Sequence, residues 1–104
     1  MTIQINTDKN LSVHEAFATK LDDLLAEELS RFSEHITRLE VHLSDENGGK
    51  DGQNDKRCVI EARLEGRQPI AVTAHADTHE HSVAEAIDKL KNSLDTILGR
   101  LRNH

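Results

Sequence analysis

The hydrophobic residues of this 104-residue chain change period several times, and the order of those changes restricts the folds open to it. Ile3 and Ile5 alternate with polar neighbours, as on a strand with one buried face. A 3.6-residue period then runs through Val13, Phe17, Leu21, Leu24, Leu25, Leu29 and Phe32, and Ser12 and Glu15 are spaced as a capping box at its start. Alternation returns three times: at Leu39, Val41 and Leu43, at Cys58, Ile60, Ala62 and Leu64, and at Ile70, Val72, Ala74 and Ala76. A second long helix closes the chain, apolar at Val83, Ile87, Leu90, Leu94, Ile97 and Leu101, with Asp77 as its expected cap and Glu80 three residues later. The order β-α-β-β-β-α describes an α+β fold in which a four-stranded sheet carries both helices on one face. Residues 1–104 form one domain, and a chain of this length buries roughly 65% of its unfolded surface around a single core.

The segments between these elements are equally readable. Strands are expected over Thr37–Ser44, Arg57–Glu65 and Ile70–Ala76, and Gly66-Arg67-Gln68-Pro69 turns the chain between the last two. Residues 45–56 hold three glycines and no apolar residue, which describes a hairpin connection. The calcium-loop pattern fails on them, because Lys50 stands where the sixth-position glycine is required and Lys56 where the twelfth-position glutamate is required. The outward sheet face gathers Gln4, Arg38, Glu40, His42, Val59, Glu61, Arg63, Thr73 and His75, a mixed set expected to be solvated or to pair its charges across strands. It carries no aromatic side chain, and the only aromatics, Phe17 and Phe32, fall on a helix. That argues against a sheet on which RNA bases stack.

The net charge of −6 is uneven: residues 1–36 carry three basic and seven acidic side chains, so the acidity is concentrated in the first helix. An acidic total argues against indiscriminate binding to polyanions, while a local basic stripe can still track a phosphate backbone. The first 30 residues contain no secretory signal, and no run of apolar residues is long enough to span a membrane, so a cytoplasmic protein is expected. The single cysteine, Cys58, has no intramolecular partner and falls on a buried strand face.

Catalytic and metal chemistry find little support. His75, Asp77, His79, Glu80 and His81 are the densest set of potential ligands, yet His75 leaves the sheet on its outer face while His79 and His81 lie about 200° apart on the first turn of a helix. No metal or other cofactor is expected. Ser12 with His14, and Ser33 with His35, lack both a buried acid partner and a nucleophile elbow, so no enzyme is expected either. What remains is a stripe on the second helix, where Lys89, Ser93, Thr96 and Arg100 fall within about 60° of one another and roughly 90° from the apolar row. Two cations and two hydroxyls in line suit a phosphate backbone, and Lys91, Arg102 and Arg31 are the neighbouring cations.

Element order and local sequence together resemble one family. The resemblance lies in Ile3-Gln4-Ile5-Asn6, in Leu29-Ser30-Arg31-Phe32, in Ile36-Thr37-Arg38-Leu39-Glu40-Val41-His42-Leu43-Ser44 and in Ala86-Ile87-Asp88-Lys89-Leu90, and it spans residues 1 to about 102. The family is that of the ribosome-associated hibernation factors (HPF/RaiA, protein Y), also described as sigma-54 modulation proteins. The resemblance implies a fold similar to a double-stranded-RNA-binding domain with an added strand. It further implies binding to the small ribosomal subunit and its 16S rRNA at the decoding region, with inhibition of translation under stress or slow growth.

The chain departs from the family on the last helix. Where members carry an Asp-Met-Tyr step it has Ser82, Val83 and Ala84. Of the three basic positions in the run aligned with residues 93–100, Ser93 and Thr96 have replaced two and only Arg100 is basic, so weaker or redirected RNA affinity is expected. With the chain ending at His104, a divergent short member is expected, without the tail by which long members dimerise ribosomes. The alternative is a non-enzymatic regulator that keeps the family fold and offers its acidic first helix to a protein partner. Nothing in the sequence specifies an oligomeric state.

Overall fold

The computed structural model describes residues 1–8, 15–45 and 55–102, with side chains up to Gly99. Four strands form one mixed sheet in the order β1-β2-β3-β4: β1 (Thr2–Thr7), β2 (Ile36–Asp45), β3 (Lys56–Leu64) and β4 (Ile70–Ala76). β1 runs parallel to β2, and the other two pairings are antiparallel. The register sets Ile5 opposite Val41, Val41 opposite Ile60, and Ile60 opposite Val72. Because side chains alternate along a strand, this one register places every inward apolar row on the same face.

Both helices cover that face. Leu21 and Leu25 of α1 (Glu15–Glu28), together with Val83, Ala86, Ile87, Leu90, Leu94 and Leu98 of α2 (His79–Arg102), join Leu39, Val41, Leu43, Cys58, Ile60 and Ala62 in a single buried cluster. α1 lies on β1, while α2 lies on β3 and β4. They run in the same direction, since residues 20, 28 and 31 of the first segment meet residues 80, 91 and 95 of α2 in that order. The expected two-on-one-face arrangement is the observed one.

Several local features differ from the sequence reading; among them, β2 runs on through Asp45, and β3 covers Lys56–Leu64 rather than Arg57–Glu65, so the connection is shorter than 45–56. The first apolar stripe does not stay helical to its end. α1 stops at Glu28, and a 3₁₀ turn over Ser30–Phe32, in which the Phe32 N–H donates to the Leu29 carbonyl at 3.0 Å, swings the Phe32 ring into the core. β2 starts at Ile36 rather than Thr37, because a register shift between Ile36 and Arg38 makes Thr37 the extra residue of a bulge. The Thr37 hydroxyl donates to the Arg63 carbonyl at 3.1 Å, and the bulge lets Ile36 and Leu39 both face inward although they are three residues apart. The cap of α2 is Thr78, whose Oγ1 accepts the His81 N–H at 3.1 Å; Asp77 lies one residue outside. The Ser12 capping box, Val13 and most of the 45–56 connection, with the calcium-loop comparison made on it, lie outside the described residues.

On the open face, like charges stand opposite one another: Arg38 faces Arg63 and Glu40 faces Glu61. Relief comes in part along the strands, Arg38 Nε donating to Glu40 at 3.1 Å and Arg63 Nε to Glu61 at 3.3 Å. A second Arg38 nitrogen crosses to Gln4 on β1. Hydrogen bonding from Arg38 holds the Glu40 carboxyl below the usual carboxylate range, with the charge of Arg63 adding to the effect.

Candidate nucleic-acid interface

The candidate residues of α2 fall on two opposite flanks of the helix. Lys89, Ser93 and Thr96 face β4, whereas Lys91 faces α1 and is joined there by Arg31 from the 3₁₀ turn. Arg100 and Arg102 occupy the last turn of α2, beyond the described side chains; at about 100° per residue Arg100 returns to the angular position of Lys89.

On the β4 flank the Lys89 ammonium donates to the Thr73 carbonyl at 2.7 Å, so the side chain lies across the edge of the outermost strand. The Thr96 hydroxyl donates back to the Asn92 carbonyl at 3.0 Å, one turn earlier. Ser93 and Thr96 line a shallow groove with Asn92, Ile97, Ile70 and Ala71. A second depression continues it towards the β3–β4 turn, where Arg67 and Gln68 form its rim. Gly66 adopts a positive φ of 71° there and reverses the chain, which presents Arg67 to solvent. Among the described residues neither Lys89 nor Arg67 forms an ion pair. Arg67 was not singled out by sequence reasoning, because a turn arginine carries no periodic signal; only the fold shows that its turn opens onto this flank.

The α1 flank is organised differently. Lys91 pairs with Glu28 at 2.7 Å, and Arg31 grips both carboxylate oxygens of Asp95 at 2.9 and 3.0 Å while its guanidinium lies 4.3 Å from the centre of the Phe32 ring. Lys20 pairs with Glu80 at 2.5 Å. The described cations on this side are committed to carboxylates, whereas on the β4 side Lys89 and Arg67 have no such partner among the described residues.

The histidines sit apart from both flanks. His75 and His81 are exposed, whereas both ring nitrogens of His79 are buried without a hydrogen-bond partner. Burial, followed by the charge of Lys56, pushes the His79 pKa down against the opposing pull of Asp45 and Asp55. Lys56 itself bonds Asp45 at 2.9 Å and the buried Asp55 at 3.1 Å, which holds its ammonium protonated above the ordinary lysine range. Among the described residues no group of three or more His, Cys, Asp or Glu is placed to hold a metal ion. Burial pushes the Cys58 thiol up to about 12, so it does not supply a thiolate at neutral pH. No described helix is long and apolar enough to cross a membrane.

Comparison with known proteins places this geometry. The family model described as "Sigma 54 modulation protein / S30EA ribosomal protein" matches residues 3–102, and the chain belongs to that family of ribosome-associated proteins. No curated protein sequence matches significantly. Among solved structures, the N-terminal domain of protein Y from Thermus thermophilus is similar at a TM-score of 0.73 and 20% identity, with 93% of this chain and 99% of that one covered. A ribosomal subunit interface protein from Coxiella burnetii is similar at a TM-score of 0.72 and 18% identity, over 95% and 99% of the two chains. At these identities the likeness is one of fold.

Proposed function

We propose that this protein associates with the small ribosomal subunit, contacts its 16S rRNA at the decoding region, and inhibits translation during stress or slow growth. The observation that carries the reading is the family match over residues 3–102, nearly the whole chain. The fold shared with protein Y and with a ribosomal subunit interface protein supports it.

The contacts assigned to RNA are phosphate contacts. Lys89, Ser93, Thr96 and Arg100 line one flank of α2, with Lys91, Arg102 and Arg31 as the secondary cations. Arg67 extends the uncommitted flank to the β3–β4 turn. A chain with a net charge of −6 is repelled by RNA everywhere except along such a stripe, so binding is selective and strongly salt-dependent. The role is non-enzymatic, requires no cofactor, and belongs in the cytoplasm, where ribosomes are.

Sedimenting a low-salt lysate of stationary-phase cells through a gradient tests the proposal. The protein is expected in the small-subunit fractions and is expected to leave them as salt rises. Its absence from those fractions, together with enrichment of a basic protein free of ribosomal RNA, would instead favour a partner on the acidic first helix.

A further inference from the structure

The seam between α1 and α2 carries charges that alternate on both sides and match across it. Along the first segment the order is Lys20, Glu28, Arg31; along α2 it is Glu80, Lys91, Asp95; and each residue pairs with its counterpart. At about 100° per residue Glu80, Lys91 and Asp95 lie within about 60° of one another on α2, and at about 1.5 Å per residue they span about 22 Å of its length. The three pairs therefore form one line rather than scattered surface contacts.

Two of the three pairs are open to solvent, and the third, Lys91–Glu28, is half-buried, its side chains 26% and 40% exposed. The side chains of Lys20 and Glu80 are 61% and 54% exposed, and those of Arg31 and Asp95 59% and 48%. Ion pairs this accessible are held weakly and are screened by salt. A chain of phosphates laid along the seam would meet three cations already occupied by three carboxylates, and it could take each cation only by displacing its partner.

We propose that the α1–α2 seam is a self-masked polyanion surface. Lys20, Arg31 and Lys91 form the phosphate-binding line, and Glu80, Asp95 and Glu28 act as built-in competitors that keep it closed to weak or short anions. This rests on the ribosome-binding reading and adds a selectivity device to it. The mask lowers affinity for RNA in general, so that only a partner presenting several phosphates at fixed positions, as folded ribosomal RNA does, opens the seam. Phe32, stacked against the Arg31 guanidinium, keeps that cation in place when Asp95 is displaced.

The test compares two triple variants of equal net charge. E28Q/E80Q/D95N removes the mask; D22N/D23N/E27Q removes three exposed carboxylates of α1 that make no ion pair among the described residues. Affinity for purified small ribosomal subunits is measured between low and moderate salt, and denaturant melts check that both variants fold. The seam variant is expected to bind about tenfold more tightly or better, with a log–log salt slope steeper by up to about 2.7 for three added phosphate contacts. The control is expected to change affinity less than about threefold, and adding K91A to the seam variant is expected to cancel a good part of the gain. Equal tightening in both triples, or none in the seam variant while the natural protein binds, would overturn the mask and leave ribosome binding standing. Failure of the natural protein and both variants to bind at low salt would overturn both readings.

Discussion

Lys89 ties the last helix to the outermost strand: its ammonium donates to the Thr73 carbonyl at 2.7 Å. The lysine thus covers part of an edge whose open backbone would otherwise invite pairing with another strand. It is held by a neutral oxygen, and among the described residues no carboxylate pairs with it. The contrast with Lys91, paired to Glu28 two residues further on, separates a cation that is available to an outside anion from one that is spoken for.

Leu94 is fully buried where α2 crosses the sheet, in the same cluster as Leu90 and Ile60. Replacing Leu94 by Ala is expected to cost about 2 to 5 kcal/mol, combining the reduced apolar burial with the cavity left behind. Urea melts at neutral pH measure this. A loss under about 1 kcal/mol would contradict the placement of this row.

Stability should fall on mild acidification, and His79 should account for a separable part of the fall. Its pKa in the folded state lies below the unfolded value of about 6.5, because the ring is buried beside Lys56 with no acceptor for a second proton. Above that value both states are neutral at this residue and the full stability is present. As pH drops through it the unfolded chain takes up a proton that the folded one resists, so stability is lost until the folded-state pKa is passed. Melts at pH 7 and pH 5 on the natural protein and on His79→Leu should show a smaller acid loss in the variant. Equal losses would mean that the ring charges as easily folded as unfolded.

Gly99 lies inside α2, and a methyl group added there meets nothing within 4 Å. Among the described residues no close backbone contact accounts for glycine at this position. Gly99→Ala is therefore expected to raise stability by about 0.5 to 1 kcal/mol, the helix-propensity difference. A melting temperature that fails to rise would mean that this last stretch of α2 contributes little to the cooperative unit.

Most of the fold was legible because burial writes itself into period. Leu39, Val41 and Leu43, or Cys58 through Leu64, can satisfy a two-residue alternation only as strands, and Leu21, Leu25, Leu90 and Leu94 only as helix faces. The Thr37 bulge was not legible, because a one-residue register slip leaves the alternation on either side intact and shows only when Ile36 is seen beside Leu64. Nor was the choice of Thr78 over Asp77 as cap, since both residue types serve and one residue of offset decides it.

The candidate site was legible one element at a time. The angular stripe of Lys89, Ser93 and Thr96 follows from helix geometry alone. That Lys91 and Arg31 belong to the opposite flank, already paired, depends on Glu28 and Asp95, which lie more than 60 residues away from them in sequence. Arg67 joins the first flank only because the β3–β4 turn ends beside Ile97.

The most direct test of ribosome binding through the Lys89 flank of α2 is the salt dependence of small-subunit binding for the double variant K89E/R100E. Lys89 is exposed, and at about 100° per residue position 100 shares its angular position on the helix; a far-UV circular dichroism spectrum and a denaturant midpoint close to those of the natural protein would confirm that the fold is retained. The account predicts that the natural protein binds purified small subunits at low salt with a steep log–log slope, and that the double variant binds far more weakly and with a slope flatter by about 2, close to one unit for each phosphate that is no longer neutralised. Unchanged affinity and slope in the double variant, or no binding by the natural protein at the lowest salt, would contradict it.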